Sequence, residues 1–242
     1  MKKKIVLGLM AAGTAVAMVP LFAAFEAHVI NVTAKIENAL KVSAYELPFG
    51  TVFPQEKLDK TFNVELSTSF MESGQVRADD VEYVIRQKPK CVDNQNPSLH
   101  PQVTEDANGV FHCPSGSTMM PLLCPYLSKH EITTDPATGQ ENDSAGIGAF
   151  HGPLTGWDMD DTEDTEVEGK LIKSAGDILD TWNIDLKVPC FKGKCAQDWD
   201  AFVKTESGDP SIDSEAYKAD PLLEHAVYGC DLWLEVTKVS QI

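Results

Sequence analysis

The chain of 242 residues carries 20 lysines and arginines against 37 aspartates and glutamates, a formal net charge of −17, and is 43% apolar. An acid excess of that size repels nucleic acid and anionic lipid, so polyanion partners are excluded. The apolar fraction can fill a sizeable core, as one large domain or one domain with an insertion.

Residues 1–24 read as an export leader. Lys2, Lys3 and Lys4 form a positive head, an apolar run extends from Ile5 to Phe25, and small residues gather at Ala23 and Ala24. Pro20 near the end of the run, and Glu26 after it in place of a basic stop, point to cleavage before Phe25 rather than a retained anchor. The expected product, residues 25–242, is secreted, extracellular or at the cell surface, with no stable membrane insertion.

Residues 25–42, FEAHVINVTAKIENALKV, carry the strongest alternation in the chain. Ile30, Val32, Ala34, Ile36, Leu40 and Val42 are apolar, Asn31, Thr33, Lys35, Glu37 and Lys41 are polar, and Asn38 interrupts the pattern. A period of two predicts an extended strand with one buried face. Strands average about 5 to 6 residues, so a break near Asn38 is expected. Residues 25–37 are then a donor-strand candidate, with Ile30, Val32, Ala34 and Ile36 filling either a slot in their own sheet or a neighbour's.

Pro48, Gly50 and Pro54 mark turns. Alternation resumes in TFNVELSTSF, with Phe62, Val64, Leu66 and Phe70 inward, and in DDVEYVIRQK, with Val81, Tyr83 and Ile85 inward. Residues 91–169 are rich in turn formers and contain three cysteines, which suggests a cysteine-tied insertion or subdomain. Trp182, Ile184, Leu186 and Val188 predict another strand, AQDWDAFVK a short surface helix, and Tyr228 to Val236 a last strand. The expected fold is all-β: a jelly-roll-like antiparallel β-sandwich with a loop-rich, cysteine-containing insertion and one or two short helices.

Six cysteines in an exported chain suit disulfides. Cys190 and Cys195 flank a turn short enough to pair with each other, while Cys91, Cys113, Cys124 and Cys230 leave three pairings open. The run DMDDTEDTEVEG suggests at most weak calcium binding through Asp158, Asp160, Asp161, Glu163 and Asp164. It lacks the glycine and the closing glutamate of an EF-hand loop. His130-Glu131 has no second histidine at zinc spacing, and neither G-x-S-x-G nor a glycine-rich phosphate loop occurs, so no catalytic or metal residues are assigned. Asn31 and Asn142 head glycosylation sequons.

The lysine-headed leader ending in AAF, the alternating segment, and TVFPQEKLDKTFNVEL with Pro54, Lys57, Leu58, Lys60 and Phe62 resemble the TasA and camelysin family, whose leaders are cut by a SipW-type signal peptidase. The likeness covers roughly residues 1–70 and a plausible terminal strand; the cysteine-containing insertion departs from it. The resemblance implies a jelly-roll subunit of an extracellular or biofilm-matrix fibre, a head-to-tail homopolymer in which each N-terminal strand enters the next subunit. The alternatives are a monomeric cell-surface adhesive module, with residues 91–169 as contact face, and a camelysin-like protease, for which the zinc helix is missing.

Overall fold

A computed structural model describes residues 36–134, 141–142, 146–152 and 166–241. The chain divides into residues 1–37, described only at Ile36 and Glu37, and residues 38–242, which carry the fold. Its strands begin with β1 (Leu40–Val42), β2 (Lys57–Leu66), β3 (Ala78–Pro89), β4 (Cys91–Asp93), β5 (Thr104–Glu105), β6 (Phe111–His112) and β7 (Ser117–Met119). They continue with β8 (Leu127–Glu131), β9 (Thr133–Thr134), β10 (Glu141–Asn142), β11 (Gly146–Ile147), β12 (Glu166–Ile172), β13 (Leu179–Lys187) and β14 (Cys230–Gln241). Among the described residues the α-helices are α1 (Thr68–Met71) and α2 (Trp199–Ser207).

The protein is an all-β sandwich. A five-stranded antiparallel sheet in the order β1-β2-β13-β8-β11 faces a three-stranded antiparallel sheet in the order β12-β3-β14. Short pairs β4–β7, β5–β6 and β9–β10 stand apart. Alternation builds both faces: Phe62, Val64 and Leu66 of β2 and Trp182, Ile184 and Leu186 of β13 meet Val81, Tyr83 and Ile85 of β3 and Val167 and Leu171 of β12 in one core. Each fully buried side chain of this size contributes about 1.5–3 kcal/mol relative to exposure.

Within residues 91–169, β8 lies inside the larger sheet, paired with β13 from Leu127↔Leu186 to Glu131↔Trp182. Residues 91–119 instead build β4 to β7 around Cys91, Val103 and Phe111. Phe111 and Trp233 cover Lys88 on the outer face of β3, with the ammonium 3.3 Å from the Trp233 ring centre and 3.1 Å from Glu235. That contact explains why Lys88 is only 5% exposed on a face of the sheet that reads as solvated.

Helix α2 follows Asp198 and ends at Gly208, whose φ of 73° is the left-handed C-cap that favours glycine. It buries Trp199 and Val203 and packs Trp199 and Phe202 edge-on to Phe150. Among the described residues no helix is long and apolar enough to cross a membrane.

Candidate functional site

Among the described residues, the smaller sheet has one apolar edge that no strand covers. Strand β14 pairs with β3 on one side, and on the other it has no partner strand among the described residues. Val236 lies opposite Tyr83 and Val239 opposite Val81, two of the most buried residues of the core, at 1% and 0% exposure. An irregularity between Val236 and Lys238 keeps both valines on the inner face. They are nonetheless 46% and 45% exposed, and Val76 at the same end is 68% exposed.

Strand β12 lies against β11 and β13 of the larger sheet, and β14 stands on the far side of β3 from it. Strand β1 is only three residues long, and Leu40 and Val42 are themselves half-covered. Ser67 Oγ donates to Asn38 O at 2.6 Å, which holds the entry to β1 at that edge. Lys173 Nζ donates to Phe70 O and Gln75 O at 3.0 and 2.8 Å and fixes the turn that leads into β3. A sheet edge with free backbone groups and half-exposed inner-face valines is a template for one more strand.

The opposite edge is unlike it. Lys170 of β12 pairs with Asp80 at 3.0 Å and with Glu82 at 3.3 Å. Behind it opens a cleft of about 670 Å³ lined by Glu82, Glu131, Glu168, Asp177 and Asp180 beside Tyr83. Gly169 faces Tyr83 in the ladder, and a Cβ there would stand 2.2 Å from the phenol ring, so the glycine lets the ring lie across the strand. The Tyr83 hydroxyl donates to Asp180 and accepts from Trp182 Nε1 at 2.8 Å. Burial, then the carboxylates of Glu131 and Asp177, push Asp180 up to about 7, although the Tyr83 hydrogen bond opposes this. Burial and Asp177 also raise Glu131, while burial and Asp180 raise the Tyr83 phenol.

Of the donor-strand residues, Ile30, Val32 and Ala34 lie outside the described residues, and Ile36 is 94% exposed. Cys190 is bonded to Cys195, Cys91 to Cys113 and Cys124 to Cys230. The acidic residues Asp158, Asp160, Asp161, Glu163 and Asp164 and the first sequon's Asn31 lie outside the described residues, as does Ser144 of the second sequon. Among the described residues no three His, Cys, Asp or Glu side chains are grouped to hold a metal.

Sequence reading missed Asp180, Glu131 and Lys129, and only Asp180 carried a signal in its strand's alternation. Asp180 shares parity with Trp182, Ile184 and Leu186, so its carboxyl falls on the inner face. Lys129 and Glu131 share parity with Leu127 and stand opposite Ile184 and Trp182. No family model, curated protein or solved structure matches the chain.

Proposed function

We propose that the protein is a secreted structural subunit that forms extracellular fibres by lending the strand around Ile30–Ile36 to the free β14 edge of the next copy. The observation that carries this reading is the pair of inner-face valines, Val236 and Val239, half-exposed on an edge strand that has no second partner strand among the described residues. The chain itself contains a fitting occupant. Ile30, Val32, Ala34 and Ile36 repeat every second residue just before the β1 edge. Among the described residues β14 runs without irregularity from Cys230 to Val236, as long as the segment from Ile30 to Ile36.

An added strand supplies ladder hydrogen bonds and apolar side chains at alternate positions. At about 25 cal/mol per Å² of apolar surface, four such side chains contribute several kcal/mol before the cost of ordering the segment. Donation from one copy to the next is head-to-tail and does not close, so it yields filaments. The lysine-headed leader supports export, and three disulfides suit an oxidising compartment.

Electron microscopy of the chain beginning at Phe25, at rising concentration, tests the reading. Filaments are expected, and a chain beginning at Asn38 should stay folded and monomeric. A chain from Phe25 that remains monomeric at every concentration contradicts the proposal.

A further inference from the structure

Lys129 and Gln87 meet between the two sheets. Lys129 of β8 is 0% exposed and Gln87 of β3 is 3% exposed. With the Gln87 amide nitrogen donating to Cys124 O at 3.0 Å, its oxygen faces Lys129 Nζ directly and stands 3.0 Å from His151 Nε2. His151 Nδ1 is 2.7 Å from Gly148 O, a separation that requires a proton on Nδ1. Among the described residues no acid acts on Lys129; burial alone pulls its ammonium down to about 7. A buried ammonium with no counter-charge is costly, and acylation removes the charge altogether.

We propose that Lys129 and Gln87 join in the folded protein as an intramolecular isopeptide bond that ties β8 of one sheet to β3 of the other. The neutral Lys129 amine attacks Gln87 Cδ. The Nζ–Cδ bond forms, the Cδ–Nε2 bond breaks, and the departing nitrogen takes one amine proton and leaves as ammonia. The remaining Nζ–H belongs to the new amide, and no oxidant or outside reactant is needed.

The neighbours supply what this step requires. Burial brings the Lys129 ammonium down to about 7, so the neutral amine is available near neutral pH. Burial, then the Lys129 ammonium, holds His151 down to about 3, so its imidazole is neutral, with the Nδ1 proton on Gly148 O and the Nε2 lone pair beside the Gln87 amide. That lone pair takes the amine proton as the Nζ–Cδ bond forms and passes it to the departing nitrogen. Fixing amine and carboxamide in contact makes the reaction unimolecular, and the closed core excludes the water that would compete.

Intact mass of the secreted protein, with its disulfides reduced and alkylated, tests this. The wild type should weigh about 17 Da less than its sequence, one ammonia, and tryptic mapping should yield a branched peptide joining residues 87 and 129. Lys129→Gln and Gln87→Met should restore the full mass, and His151→Ala should give a mixture with the unlinked form. A wild type of full mass overturns the proposal without recourse to any variant. So does a deficit that survives Lys129→Gln, or free tryptic cleavage after Lys129 in the wild type.

Discussion

The Tyr83 hydroxyl of β3 donates to the Asp180 carboxylate of β13, so a buried acid joins the two sheets at the mouth of the acidic cleft. Asp180 is 5% exposed, and its carboxyl is raised to about 7 by burial and by the Glu131 and Asp177 carboxylates.

Stability should therefore fall as pH rises through this range. Below about 4 the acid is protonated in both states and adds nothing. Between about 4 and 7 the unfolded chain ionises while the folded one keeps its proton, which lowers stability by up to about 1.4 kcal/mol per pH unit. Above that range the loss is complete and the curve levels. Asp180→Asn keeps an acceptor for Tyr83 and removes the ionisation. Urea midpoints at pH 5, 7 and 8.5 should decline for the wild type and decline less for Asp180→Asn. Equal slopes for the two would contradict the placement of this acid.

Gly169→Ala should be destabilising by about 1–3 kcal/mol, the usual result of overpacking. The new methyl meets the Tyr83 ring at 2.2 Å, in a strand whose other side holds Lys170 to Asp80 and Glu82. Thermal unfolding measures the loss. An unchanged midpoint would mean that Tyr83 does not lie across β12.

The disulfides should differ in worth by loop length. Cys124–Cys230 spans 106 residues and Cys190–Cys195 spans 5. On the chain-entropy argument, replacing the first pair by alanines costs about 4–5 kcal/mol and replacing the second about 2 kcal/mol. Denaturant unfolding of the two double variants gives the ranking directly, and the reverse order would contradict it.

Strands with clean alternation were legible from sequence. Trp182, Ile184 and Leu186 face inward on β13, Phe62, Val64 and Leu66 on β2, and Trp199 and Val203 anchor the helix expected around them. Strand β1 begins at Leu40, just past Asn38, while Phe25 to Lys35 of the strand expected before Asn38 lie outside the described residues. Strand β8 was not legible, because Leu127, Lys129 and Glu131 place polar groups on the inner face and erase the alternation. The pairing of Cys124 with Cys230 was equally beyond sequence, since the sandwich, and not local spacing, brings together residues 106 apart. The exposed edge of β14 was hidden for the same reason: Val236 and Val239 have inward register, and only the narrowness of a three-stranded sheet leaves them uncovered.

The most direct test of strand donation is a mixing experiment on two complementary variants. Val32→Asp with Ile36→Asp disables the donor segment, and Val236→Lys with Val239→Lys disables the acceptor edge. Light scattering during gel filtration of the proteins beginning at Phe25 should find each variant monomeric alone and an equimolar mixture stopping at a one-to-one dimer. Filaments from either variant alone, or a mixture that stays monomeric, would contradict the assignment of β14 as the edge that receives the strand.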